Sequence, residues 1–175
     1  MALAIFGISL ICLYSASAIY HALDISEDVN LILRKIDHLM IYVLIAGTYT
    51  PICLIALTGA WGTALFISIW IIAAAGVGLT LLWFDAPRWL TTSIYILMGW
   101  LVVIASVPLK HTVGTAGLAW LIAGGVLYTI GGIIYGTKRP NITFSVFGFH
   151  EIFHLFVLGG SICHYIMIFE YLPWH

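Results

Sequence analysis

The sequence predicts an all-α, polytopic membrane helix bundle with six transmembrane helices, in a single domain over residues 1–175. Hydrophobic side chains make up 63% of the 175 residues and charged side chains 7%, whereas soluble domains carry roughly a quarter charged residues. The mean hydropathy is +1.13, so a water-soluble globule is excluded. A transmembrane β-barrel would need short segments of alternating polarity, and the sequence has none.

Six apolar stretches are each long enough to cross about 30 Å of hydrocarbon as a helix. They cover residues 1–23, 38–58, 62–84, 89–109, 114–136 and 143–171. The first has no basic region before it and no cleavage site of small residues, so we expect it to be retained as a helix. Residues 24–37 form the longest connection, and Pro51 and Pro108 are expected to end or kink their helices.

The basic residues predict how the bundle faces the membrane. Lys110 alone lies in an even-numbered connection. The other five lie in the first, third and fifth connections: Arg34, Lys35, Arg88, Lys138 and Arg139. Because basic residues accumulate on the cytoplasmic side, the odd connections are predicted to be cytoplasmic in a multi-pass protein of the plasma membrane. The net charge of −1 gives no reason to expect nucleic acid as a partner.

Two histidines at the start of the last stretch form a candidate metal site. In the segment His150-Glu151-Ile152-Phe153-His154, the two imidazoles lie four residues apart and share one helical face, about 6 Å apart along the axis. That spacing lets two ring nitrogens bind one zinc ion. Ionisable groups are costly inside a bilayer, so this pair indicates a functional site.

The predicted orientation brings further polar residues to the same side. His21 ends the first helix there, Asp37 begins the second, and Ser17 lies one turn deeper than His21. Zinc bound by His21, His150 and His154, with water as the fourth ligand, fits the catalytic pattern of three protein ligands and one open position. Asp37 could orient or deprotonate that water, and Ser17 could donate a hydrogen bond to it or to a developing oxyanion.

These residues also have alternative interpretations. His21 could be an interfacial residue beside Tyr20, and Asp37 could simply cap the second helix. The string His-Glu-x-x-His is also typical of metalloproteases, with Glu151 as the general base. His164 lies about 15 Å beyond the pair along its helix, and we expect it to bond to a neighbouring helix instead. The cysteines are odd in number and lie in apolar stretches, which favours packing over disulfides or metal binding: Cys12, Cys53 and Cys163.

At these residues the chain resembles the hemolysin III family, the bacterial branch of the progestin and adipoQ receptor group. The matching segments are 17–21, 35–38, 46–51 and 149–164. The resemblance implies zinc at His21, His150 and His154, with Asp37 and Ser17 near its water. The family usually has seven spanning helices and a cytoplasmic N-terminus, so this chain is expected to lack the first.

The resemblance also implies a set of functions. The wider group includes ceramidases, so zinc-dependent hydrolysis of an amide in a membrane lipid is the leading hypothesis. The alternative is a cytolytic protein with toxin activity, a receptor or a membrane-homeostasis protein, in which zinc would be structural. An intramembrane zinc metalloprotease is the third hypothesis, although relatives often have glutamine at the position of Glu151. The oligomeric state is left open.

Overall fold

A computed structural model describes residues 1–83, 85–140 and 148–173. Every regular element in these ranges is a helix, and the all-α prediction is confirmed. The first residues of the predicted stretch 143–171, up to 147, lie outside the described residues. The chain clusters into two compact units, Met1–Ala86 and Pro87–His175, which are described in turn. The prediction of a single domain stays a prediction.

The first unit contains three successive antiparallel helices. They are α1 (Ala2–Ala22), α2 (Glu27–Pro51), which continues as a π-helical turn (Ile52–Ala56), and α3 (Ala60–Leu82). Ser9 of α1 packs directly against Gly47 of α2. The indole N–H of Trp70 in α3 donates to the hydroxyl of Thr50 in α2, at 3.2 Å. The regular geometry of α2 ends at Pro51, as the sequence predicts.

The start of α2 differs from the prediction. The sequence places residues 24–37 in a connection, but the helix already begins at Glu27, after Ser26, whose hydroxyl accepts from the Val29 amide at 3.4 Å. A serine cap and an acidic first turn both stabilise a helix start. Hydropathy detects the part of a helix that crosses hydrocarbon and misses its polar first turns. Asp37 therefore lies well inside α2, and its alternative interpretation as a helix cap is wrong.

The second unit also consists of antiparallel helices. They are α4 (Arg88–Trp100), which continues as a 3₁₀ turn (Leu101–Ala105), α5 (Ser106–Thr137) and α6 (Phe149–Tyr171). The 3₁₀ turn immediately precedes the segment that contains Pro108. A proline ring conflicts with the carbonyl four residues before it, here that of Ile104, so the helix changes geometry at this point, as predicted.

A reversal at Gly114 shapes this unit. Residues Arg88–Thr137 form one helical stretch of 50 residues, which would measure about 75 Å if straight, more than twice the hydrocarbon thickness. Gly114 has φ 70° and ψ 179°, which a glycine adopts readily, and turns the chain back there. Thr92 packs on Gly136, and Ile96 packs on Gly132. The midpoint in sequence of each pair is residue 114, as expected for two antiparallel segments that join there.

The number of spans follows from this reversal. Among the described residues, five continuous helical stretches are long and apolar enough to cross a membrane. One of them, Arg88–Thr137, doubles back at Gly114 and therefore supplies two antiparallel segments, in the places of the fourth and fifth predicted spans. The prediction of a polytopic helix bundle is confirmed.

Close packing of α5 on α6 fixes their register. A side chain at Gly124 would overlap the imidazole of His164. The Nε2 atom of that imidazole lies 3.2 Å from the carbonyl oxygen of Leu121, which can only accept, so Nε2 donates. The hydroxyls of Tyr128 and Ser161 form a hydrogen bond of 2.7 Å one turn away. The expectation that His164 bonds to a neighbouring helix is confirmed.

The cysteines form no disulfide. Cys53 and Cys163 are buried in the helical packing, and Cys12 is exposed on α1. The expectation that the cysteines serve packing fits Cys53 and Cys163, whereas Cys12 is not packed within the described part of the chain.

Candidate metal centre

The histidine pair opens the last helix in a geometry suited to a metal ion. His150 and His154 lie in the first two turns of α6, as predicted, and both are half-buried. Their Nε2 atoms are 3.1 Å apart, and the two rings are perpendicular. Two nitrogens bound to one tetrahedral zinc at 2.0–2.1 Å would be separated by about 3.3–3.4 Å. The pair therefore fits zinc with a shift of a few tenths of an ångström.

A cap made by Glu151 places this pair. The carboxylate of Glu151 accepts a hydrogen bond of 2.7 Å from the amide of Gly148, the residue before α6. Glutamate at the third helical position is the side chain that a capping box uses for this bond. The Glu151 side chain is exposed. Since the carboxylate is engaged with the backbone, this geometry disfavours Glu151 as the base of a metalloprotease.

Aromatic rings surround His150 on several sides. Its ring centroid lies 6.3 Å from that of Phe149, 5.9 Å from that of Phe153 and 6.2 Å from that of Tyr135 on α5. The guanidinium of Arg88 lies 5.4 Å from the centroid of the Tyr135 ring. Rings packed in this way limit the rotation of the imidazole.

The first unit carries a second group of polar residues, on α1 and α2. Asp37 of α2 is half-buried, interacts electrostatically with His21 and accepts a hydrogen bond from the hydroxyl of Ser17. Ser17 and His21 both lie on α1, one turn apart, so they present their side chains to the same face of α2. The sequence-based expectation that the three residues come together is met.

His21 lies in the first unit and is exposed, whereas His150 and His154 lie in the second. The expectation that all three histidines bind one zinc ion stays a prediction.

Sequence reasoning missed two contributors to the site. Tyr135 stands out in no pattern, because its contact with His150 depends on how α5 and α6 pack. The Glu151 cap could have been found, because Glu151 occupies the third position after Gly148 at the start of an apolar stretch.

Comparison with known proteins gives a consistent result. The profile of the family described as "Haemolysin-III related" matches residues 1–165. The chain is 40% identical to "Hemolysin-3 homolog" of Bacillus subtilis (strain 168), over 95% of this chain and 75% of that protein. It is 36% identical to "Hemolysin-3" of Bacillus cereus, over 99% and 76% of the two chains. It is 26% identical to human "Monocyte to macrophage differentiation factor", over 96% and 69%.

Proposed function

The chain belongs to the haemolysin-III related family, and from this premise we propose that it is a zinc-dependent hydrolase that cleaves an amide bond of a membrane lipid. That it is a multi-pass membrane protein follows from its helices and its family. The observation that carries the proposal is the 3.1 Å separation of the Nε2 atoms of His150 and His154, to which His21 is added as the proposed third ligand. Three histidines with a fourth position left for water are typical of catalytic zinc and not of closed structural sites.

In this proposal the histidines bind the ion and the polar residues of the first unit handle the proton. The Nε2 atoms of His150 and His154 are already close enough to share one ion, and His21 would supply the third nitrogen. When bound, zinc polarises a carbonyl and makes water nucleophilic near neutral pH. The general base and the hydrogen-bond donor to the substrate are side chains of this protein.

Asp37 is the proposed general base. Its carboxylate interacts with His21 and is held by the Ser17 hydroxyl, so its orientation is fixed before substrate binds. It would take a proton from the attacking water and return it to the nitrogen of the departing amine. The Ser17 hydroxyl could rotate toward the carbonyl oxygen as negative charge develops there.

A membrane lipid is the substrate class that suits this location. The candidate ligands lie at ends of helices that are long and apolar enough to span a bilayer. An amide that links an acyl chain to a lipid headgroup sits at the same depth, where hydrocarbon meets the interface. The plasma membrane is the proposed location.

Zinc content tests the first part of the proposal. The full chain purified in detergent should contain close to one zinc per molecule by elemental mass spectrometry. His150→Ala combined with His154→Ala should remove it, whereas Lys110→Ala should not. A wild-type chain that binds no zinc, or a double variant with unchanged zinc, would contradict the proposal.

Lipid turnover tests the second part. The zinc-loaded chain in phospholipid vesicles is given a ceramide whose acyl chain carries a fluorophore, and release of the free acid is measured. Asp37→Asn should keep zinc and lose at least about 100-fold in rate, as expected when a general base is removed. Asp28→Asn, in the exposed first turn of the same helix, is the matched control and should be unaffected. The enzyme hypothesis fails if the loaded wild-type chain cleaves no lipid amide.

A second candidate function is cytolysis or reception with structural zinc. It is favoured by the name of the Bacillus cereus relative, "Hemolysin-3". It predicts that Asp37→Asn leaves both zinc and the lysis of erythrocytes intact, while no lipid amide is cleaved by either protein. The same two proteins therefore separate the two candidates.

A further inference from the structure

A hollow lies at the end of α5, where the helix leaves its apolar stretch. Its volume is about 900 Å³. Its walls combine apolar and basic side chains: Ile133, Ile134, Thr137, Lys138, Arg139 and Pro140. Because both kinds of side chain line the hollow, a ligand in it would meet positive charge and hydrocarbon together.

The two cations are available to a ligand. Lys138 and Arg139 are both exposed. Lys138 adopts φ 55° and ψ 36°, the left-handed region that non-glycine residues seldom occupy. This conformation ends α5 at Thr137, and both Lys138 and Arg139 line the hollow. Two adjacent basic groups at one rim attract an anion.

The depth of the hollow identifies the kind of anion. The apolar stretch that includes α5 ends at Thr137, so Lys138 and Arg139 lie where lipid headgroups begin. An exposed apolar stripe runs from the hollow along α5, at spacings of three and four residues. Its members and their exposed fractions are Ile122 (45%), Val126 (41%), Ile130 (38%) and Ile133 (54%). The stripe offers a surface for an acyl chain below the charged rim.

We infer that this hollow binds the phosphodiester headgroup of an anionic phospholipid, with one acyl chain along the stripe. Arg139 presents a planar fork of donors that matches two phosphate oxygens, and Lys138 adds a point charge. The site is independent of the proposed hydrolase activity, since none of its residues belongs to the candidate metal centre. Basic residues also stabilise a helix C-terminus and set membrane orientation, but both of those roles are served equally well by lysine and arginine.

Native mass spectrometry of the full chain, released from detergent micelles, tests the inference with three probes. These are phosphatidylglycerol, phosphatidylcholine with the same chains, and glycerol 3-phosphate, which has the phosphate and no chains. Phosphatidylglycerol should be retained in preference to the other two. Equal retention of phosphatidylcholine would overturn the inference, because the charge would then play no part. Equal retention of glycerol 3-phosphate would overturn the assignment to a lipid.

Variants locate the site. The double variant Lys138→Ala/Arg139→Ala should lower retention of phosphatidylglycerol by about 25-fold, from roughly fivefold for each basic residue at a membrane surface. Lys110→Ala, which removes an exposed cation elsewhere, should change nothing. Arg139→Lys keeps the charge, the orientation and the fold, and should still lower retention several-fold because the fork is lost. Retention equal to wild type in Arg139→Lys would overturn the inference even if the double variant failed to insert.

Discussion

The cap at the start of α6 gives a sharp test of which acidic residue acts in catalysis. Glu151 lies within the string His-Glu-x-x-His, where a metalloprotease would have its general base. The structure instead shows its carboxylate accepting from the Gly148 amide at 2.7 Å, with the side chain exposed. Glu151→Gln keeps an oxygen that can accept the same bond, whereas Glu151→Ala removes it. The two variants should therefore differ in stability and agree in activity.

The magnitude follows from the bond that is lost. A side-chain cap contributes about 0.5–2 kcal/mol, and exposure to solvent puts Glu151 near the middle of that range, at about 1 kcal/mol. For a chain of this size that corresponds to a fall of roughly 2–4 °C in the melting temperature of Glu151→Ala. Glu151→Gln should melt within about 1–2 °C of the wild type, because only the interaction of its charge with the helix dipole is lost.

Three measurements on the same preparations complete the test. They are thermal unfolding in detergent, zinc content by elemental mass spectrometry, and cleavage of a lipid amide. We expect normal zinc and a cleavage rate within about twofold of wild type for Glu151→Gln. Loss of a true general base would lower the rate by about 100-fold or more. A loss of that size with zinc retained would refute the assignment of Glu151 as a cap and transfer the role of base from Asp37 to Glu151.

Three further predictions concern the metal pair and two glycines. Added zinc should stabilise the wild-type chain in thermal unfolding by about 2.7 kcal/mol at a zinc concentration 100 times the dissociation constant. His154→Ala should abolish this stabilisation. His111→Ala, which removes an exposed histidine elsewhere, should keep it. Gly124→Ala should destabilise the chain by about 1–3 kcal/mol, because the added methyl overlaps the ring of His164, and wild-type stability would show that the two helices are less tightly packed. Gly114→Ala should lower the free energy of unfolding by about 1–3 kcal/mol, because φ is 70° there and alanine is strained at that angle. The surrounding space is open, so the added methyl group causes no clash of its own. An unchanged denaturant midpoint would contradict a strained reversal.

The sequence predicted the architecture because hydropathy acts locally. Each span must satisfy its own backbone within the bilayer, so a long apolar stretch indicates a helix whatever its neighbours are. Boundaries were less well predicted. The polar first turns of α2 were assigned to a connection, since hydropathy does not register a helix that extends into the headgroup region. The Ser26 cap and the acidic residues that follow it carried the missing signal.

The candidate site was predicted in part for the same reason. The spacing of His150 and His154 is a property of one helix, and the structure confirms that their Nε2 atoms converge. The grouping of Ser17, His21 and Asp37 needed only the antiparallel course of two consecutive helices. The role of Glu151 depends on the position of the Gly148 amide, which the sequence alone does not define.

The sequence by itself determined that this chain is a helical membrane protein, that its helices alternate in direction, and that two imidazoles share a helical face. These properties follow from hydropathy and from the helical repeat, which depend on residues close in sequence. Only the tertiary structure decided that Tyr135 packs on His150, that a ring of His164 fills the space beside Gly124 and that the chain reverses at Gly114. Such contacts join residues that are distant along the chain, and they depend on how side chains of different helices fit together.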